Sequence, residues 1–218
     1  MIYKNGIIKQ KIFYENENQG TYTVIGDVII TNGIASNFSN SSYIDTNYSQ
    51  TNVVTDLDIY LEIMTPDTFS DTDNRYILLG QAGNNLKSPQ IEVHPTRFGY
   101  GLSTDTSSWT GNWNINYDVQ VKTKYAIRLK LKDNLAKFYV NDALLNTTTI
   151  SNGIHWSVPI RIGADTSGAY SWNGSVDLTT ICFKVDGNIV LSGVDAYLQN
   201  DKAKIGKNFI ASKSFYEI

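Results

Sequence analysis

The stretch Pro159-Ile160-Arg161-Ile162-Gly163, a polar loop holding Tyr170 and Trp172, then Asn173-Gly174-Ser175-Val176-Asp177-Leu178 and Lys184-Val185-Asp186-Gly187-Asn188-Ile189-Val190 decides the fold of this chain. A short apolar run ends in glycine, a loop follows, and an Asn-Gly turn leads into an alternating strand. That is one unit of an antiparallel sheet. Upstream, Lys137-Phe138-Tyr139-Val140-Asn141-Asp142 supplies a matching strand and turn.

Working outward, Asp56 to Met64 is the clearest strand. Leu57, Ile59, Leu61 and Ile63 fall on one face for the core, and Asp56, Asp58, Tyr60 and Glu62 fall on the other for water. Lys124 to Leu131 repeats the pattern, and Asp133-Asn134 and Asn141-Asp142 turn it into a meander through Ala136 to Val140. Arg75 to Gly80, Gln90 to His94, Val28 to Thr31 and Ser42 to Ile44 read as further strands. No sustained helical period interrupts them, and turns rich in Gly, Asn and Asp separate strands of similar length. Two packed antiparallel sheets are the expected architecture, an all-β sandwich.

These motifs, with the stretch Gly33-Ile34-Ala35-Ser36-Asn37-Phe38, resemble the concanavalin A-like lectin/glucanase family. The laminin-G-like jelly roll is the nearest form, in the versions found in bacteriophage tail and other virion proteins. The resemblance implies a jelly-roll domain over residues 20–202, with an N-terminal arm at 1–19 and a C-terminal arm at 203–218. Both arms carry the tripeptide Phe-Tyr-Glu, at Phe13 to Glu15 and Phe215 to Glu217. Their apolar side chains favour either pairing with the domain's own sheet edges or docking on another chain.

The chain has 218 residues, enough for one sizeable core, and a net charge of -3 with no basic stripe, so nucleic acid is not an expected partner. No apolar run reaches the roughly 18 residues of a membrane helix, and no secretory signal core is legible; membrane insertion and Sec export are not expected. The single cysteine, Cys182, lies between Ile181 and Phe183 and reads as a small buried hydrophobe. His94, before Pro95, and His155, beside Trp156, stand far apart with no metal-ligand spacing, so each reads as a loop or sheet-edge residue.

Three groups of residues could carry chemistry. Trp109 and Trp113 in the segment from Gly99 to Asn116, read as a loop, cluster with Tyr117 just after it, where rings could stack on a sugar while Asn, Asp and Ser bond its hydroxyls; the alternative is a hydrophobic lid on the sandwich end. Tyr170 and Trp172 invite the same two readings. Asp58, Tyr60 and Glu62 form a polar strand face, either solvated or in contact with a glycan. Residues two apart on a strand lie about 6–7 Å from each other, near the ~5–5.5 Å of a retaining carboxylate pair. The related glucanases carry Glu-x-Asp-x-Glu there; this chain has Asp56, Asp58 and a displaced Glu62, so catalysis is not expected. Calcium, common in laminin-G-like domains, would draw on Asp105, Asp165 and Asp177, but no Asp-x-Asp-x-Asp-Gly loop is present and no cofactor is expected.

The expected function is a non-catalytic carbohydrate-binding component of a phage virion, in a tail fibre, baseplate or head fibre, assembled in the bacterial cytoplasm. Its partners would be host surface polysaccharide and, through the arms, other virion proteins, in a homo-oligomer such as a trimer. A structural decoration module without a ligand, and a glycan hydrolase, are the alternatives.

Overall fold

Paired residues in left-handed backbone set the architecture. Asn32 and Gly33 have φ of 51° and 80°, Asp133 and Asn134 of 51° and 63°, Asn141 and Asp142 of 49° and 65°, and Asp186 and Gly187 of 47° and 81°. Two consecutive positive φ values define the tight hairpin turn that matches strand twist, and Asn, Asp and Gly tolerate that conformation best. Each pair joins two adjacent antiparallel strands through a two-residue loop.

The computed structural model describes residues 8–12, 20–69, 76–81, 89–103, 109–156, 158–164 and 170–192. In chain order its strands are β1 (Ile8–Ile12), β2 (Gly20–Ile25), β3 (Ile29–Thr31), β4 (Ile34–Ser36), β5 (Tyr43–Asp45), β6 (Gln50–Val54), β7 (Leu57–Met64), β8 (Tyr76–Gln81) and β9 (Gln90–His94). They continue as β10 (Arg97–Ser103), β11 (Trp109–Asn116), β12 (Lys124–Lys132), β13 (Leu135–Val140), β14 (Ala143–Thr149), β15 (Ile154–Trp156), β16 (Ile160–Ile162), β17 (Ser175–Val185) and β18 (Asn188–Ser192). No helix occurs among the described residues.

One sheet runs β1-β2-β5-β16-β8-β9-β10-β11, the other runs β14-β13-β12-β7-β17-β4-β3 with β18 on β17, and β15 pairs with β6 at one side. The described pairings are antiparallel, and the two sheets face each other as a jelly-roll sandwich. Between them lie Leu57, Ile59, Leu61 and Ile63 of β7, all at 0–1% exposure, with Phe98 and Tyr100 of β10, Phe138 of β13, Trp156 and Trp172. Burying each aliphatic chain of this kind contributes about 1.5–3 kcal/mol, so the alternation on β7 is what anchors the second sheet. Tyr100 stacks on Phe138 with centroids 5.3 Å apart, and its hydroxyl is hydrogen-bonded to Asn146 Oδ1 and Thr148 Oγ1 on β14, both at 2.9 Å, tying the ends of the two sheets together.

Three expectations change. The described residues of the segment Gly99 to Asn116 are strand and not loop: β10 and β11 are paired, with Ser103 opposite Trp109 and Arg97 opposite Asn116. Its Gly, Ser and Asn content suggested a loop, but glycines at 99 and 101 serve close packing within the sheet. The N-terminal arm, left open between the domain's own sheet edge and another chain, narrows to the first for its described part, because Ile8–Ile12 pairs with Gly20–Ile25 as the outermost strand of the first sheet. The Phe-Tyr-Glu tripeptides and the C-terminal arm lie outside the described residues.

The third change concerns the outer face of β7, which does not simply meet water: Asp58 is 6% exposed and Glu62 9%. Long side chains from both neighbouring strands cover it. Lys130 of β12 and Lys184 of β17 stand opposite Asp58 in register, and Arg128 reaches it diagonally. Between Asp177 and Cys182, β17 also bulges away from β7. Thr180, inside the bulge, takes the Glu62 backbone N–H on its Oγ1 at 2.9 Å and donates to the Asp177 carbonyl at 2.8 Å, so the broken ladder leaves neither group unpaired.

Candidate functional site

Towards one edge of the first sheet, its outer face is built from β9, β10 and β11. On β9, Ile91 and Val93 point into the core, so Gln90, Glu92 and His94 stand in a row on the other face. On β10, the same face carries Arg97, Gly99, Gly101 and Ser103. Glycine leaves that strand without side chains where β11 lays its tryptophans. The rings of Trp109 and Trp113 lie over Gly101, and the Trp113 backbone passes 3.1 Å from where a Gly99 side chain would start. A bulge lies here, since Trp113 and Asn114 of β11 together face the single Gly99 of β10. Alternation puts Trp109 and Trp113 on the same face, and the bulge returns Ile115 to the core. The two rings meet edge to face at 5.5 Å and 82°.

These elements enclose a groove of about 400 Å³ whose lining includes Glu92, His94, Arg97, Trp109, Trp113 and Asn114. Its floor is polar and closed to water. Glu92 is 1% exposed, and its carboxylate accepts hydrogen bonds from Gln90 Nε2 at 2.7 Å and His94 Nε2 at 3.3 Å. In the tautomer that carries its proton on Nε2, facing the Glu92 carboxylate, His94 Nδ1 has a lone pair. That nitrogen is buried without a hydrogen-bond partner, as is Arg97 Nε. Leaving such groups unpaired costs about 1–3 kcal/mol each, a cost that an ordered water or a ligand in the groove would offset.

The structure separates the residues that the sequence grouped. Trp109 and Trp113 share the groove, both half-buried. Tyr117 does not join them: it packs edge to face on Phe98 at 5.2 Å and Tyr125 at 5.9 Å, against the core. Trp172 is also withdrawn. It is 0% exposed, its ring meets Tyr76 at 6.5 Å and 83°, and its Nε1 donates to the Ser175 carbonyl at 3.3 Å, so neither ring face is open to a sugar. Tyr170 is half-buried beside the Ala164–Ser171 bridge, away from the groove lining.

Asp58, Tyr60 and Glu62 belong to the other sheet, so they cannot complete a site with the tryptophan pair. Their polar atoms are engaged. Arg128 donates Nε to Asp58 Oδ1 at 2.8 Å and Nη2 to Oδ2 at 2.6 Å, a two-pronged ion pair that raises the Arg128 guanidinium further above its ordinary value. Tyr60 donates to Glu62 Oε1 at 2.8 Å, and Lys124 pairs with Glu62 Oε2 at 2.5 Å. Burial, then this bond to Glu62, pushes the Tyr60 hydroxyl far above the ordinary phenol value, and the bond to Glu62 raises the Lys124 ammonium. Asp177 accepts from Thr179 N at 3.0 Å and Thr179 Oγ1 at 2.5 Å, closing a local turn. Asp105 and Asp165 lie outside the described residues, among which no group of three His, Cys, Asp or Glu side chains is placed to hold a metal ion.

Gln90, Glu92, His94 and Arg97 are the groove residues that sequence reading passed over. Alternation had put Glu92 and His94 on one face, and His94 looked like a sheet-edge residue because Pro95 follows. In fact β9 is interior to its sheet and His94 is 1% exposed. The available signal was Gly99-x-Gly101, a period-two glycine pair that marks close approach within a strand. It yields a test. Gly101→Ala would drive its methyl group into both tryptophan rings. We expect this variant to lose ligand affinity about tenfold or more, equivalent to ~1.4 kcal/mol, while its melting temperature falls by only a few degrees; unchanged affinity would show that the ring positions are not what binds.

No family model matches the chain, and no curated protein matches it. Among solved structures, the fold is similar to the binding domain of botulinum neurotoxin serotype G, at 18% identity and a TM-score of 0.58 over 84% of this chain and 45% of that one. It is similar also to the serotype D binding domain, at 11% identity and a TM-score of 0.58 over 84% and 46%. A third is domain 4 of a GH43 extracellular arabinanase from Geobacillus stearothermophilus, solved in complex with arabinotriose, at 13% identity and a TM-score of 0.55 over 84% and 88%. The chain thus spans about half the length of the neurotoxin domains and most of the arabinanase domain. At such identities the likeness establishes the fold.

Proposed function

We propose that this chain is a non-catalytic carbohydrate-binding domain whose ligand occupies the groove between the Gln90-Glu92-His94 row and the Trp109–Trp113 pair. The observation that carries this reading is the buried polar row beside two half-buried indole rings: rings to cover the apolar face of a sugar, polar atoms to take its hydroxyls. The arabinotriose complex of the arabinanase domain is in keeping with it. Two-carboxylate hydrolysis finds one carboxylate, Glu92, among the described groove residues, which supports binding over turnover.

The finer assignment rests on the resemblance of Pro159 to Gly193 and its partner strands to virion domains. On it, the chain is an attachment component of a phage particle, assembled in the bacterial cytoplasm, homotrimeric, and directed at host surface polysaccharide. Multiple weak sites engaging together would give such a particle its grip.

A glycan array tests the reading, with the wild type beside the Trp109→Ala, Trp113→Ala double variant. Binding by the wild type and its loss, by about a hundredfold or more for two stacking rings, in a double variant that still melts cooperatively, is the expected result. A wild type that binds no polysaccharide in its assembled form would instead favour a structural role in a particle. Release of reducing ends from any bound glycan would overturn the non-catalytic assignment.

A further inference from the structure

The groove holds two unspent hydrogen-bonding atoms of opposite kind. In the tautomer whose Nε2–H donates to the Glu92 carboxylate, His94 Nδ1 presents a lone pair. Arg97 Nε presents an N–H. The two residues stand directly opposite each other across β9 and β10, on the same face of the sheet. Directly paired strand positions hold their Cβ atoms about 4.5–5.5 Å apart. The two side chains therefore start close together, and a single ligand that offers both a donor and an acceptor could satisfy them.

Resting on the carbohydrate reading, we infer that the groove selects uncharged sugars and binds them by a vicinal diol, one hydroxyl donating to His94 Nδ1 and its neighbour accepting from Arg97 Nε. A hydroxyl can do either task, so two adjacent hydroxyls fit the pair in either orientation. A carboxylate or sulfate cannot. It has no proton for His94 Nδ1, and its charge would sit against the Glu92 carboxylate, whose burial in the groove floor strengthens the repulsion. The Arg97 guanidinium alone would welcome an anion, but the Glu92 charge offsets it. Both unspent atoms are screened from water. Arg97 is the half-buried member, and its flexible side chain is the part that moves to admit the sugar.

Calorimetric titration separates the possibilities, using soluble neutral oligosaccharides (arabinan, galactan and β-glucan fragments) and acidic ones (oligogalacturonate and sialylated oligosaccharides). The expected result is binding confined to neutral sugars, weakened about tenfold by His94→Phe, which keeps the ring volume and loses Nδ1, and likewise by Arg97→Met, which keeps the stem and loses Nε. Melting curves establish that each variant is folded, and Arg97→Met, at the less buried position, carries the test if His94→Phe unfolds. Preferential binding of the acidic sugars, or full affinity in folded Arg97→Met, would overturn the inference while leaving a carbohydrate-binding domain. Failure of the wild type to bind either class would overturn the inference together with the reading beneath it.

Discussion

Arg128→Met is expected to destabilise the fold by about 3–5 kcal/mol, because it strands the Asp58 carboxylate in a site it shares with no other partner of the same geometry. Arg128 is 7% exposed and Asp58 6%, and two charge-assisted hydrogen bonds join them between β12 and β7. Coulomb attraction across such a pair roughly offsets the cost of drying both ions. Removing one ion leaves the other's cost uncovered. Against the 5–15 kcal/mol typical of a whole domain, that loss would be a large fraction. Urea denaturation measures it as a lower midpoint at unchanged slope. The companion variant, Arg128→Met with Asp58→Leu, is expected to recover most of the loss. A single variant within 1 kcal/mol of wild type would mean that Lys130 and Lys184, opposite Asp58 in register, already neutralise it. The exposed pair Lys122–Asp67, with side chains 65% and 82% accessible, is expected to contribute about 0–1 kcal/mol by the same measurement.

Trp172→Ala carries a comparable expected loss, about 3–5 kcal/mol, for a different reason: it opens a cavity. The indole is wholly enclosed, with Tyr76 against its edge and Gly174 so close that a methyl group there would strike the ring. The sheet cannot collapse onto the vacated space, because Gly174 and Ser175 are tied to the backbone of β7 through the Ser175–Met64 pairing. Stability and ligand affinity then answer separately. A core tryptophan loses stability and spares affinity in the variant that remains folded; a sugar-stacking one does the opposite. A stable Trp172→Ala protein that no longer binds glycan would return Trp172 to the binding surface.

The fold was legible because period-two patterns and turn chemistry are local. Leu57, Ile59, Leu61 and Ile63 declare one buried face, and Asp133-Asn134 and Asn141-Asp142 adopt the left-handed turns their side chains favour. The site was legible only in part, since its members meet through cross-strand register. Trp109 and Trp113 stood out by type, but nothing along the chain says that Gly101 lies beneath them or that His94 faces Arg97. Register also explains the misplacement of Asp58 and Glu62. Alternation correctly turned them away from the core, and only the neighbouring strands reveal the Arg128 and Lys124 side chains that engage them. For Trp172 both readings stayed open along the sequence, because its contact with Tyr76 is long-range and its bond to Ser175 forms where β17 joins the sheet beside Met64.

The four tryptophans divide into two pairs, Trp156 and Trp172 enclosed at 1% and 0% exposure, and Trp109 and Trp113 at the groove. Their photophysics divides with them. The enclosed pair emits from a dry, rigid surrounding that changes only when the sandwich opens, while the groove pair emits from a half-wet one that an arriving ligand would dry. The unlabelled protein thus carries two optical reporters in one spectrum, one for unfolding and one for occupancy.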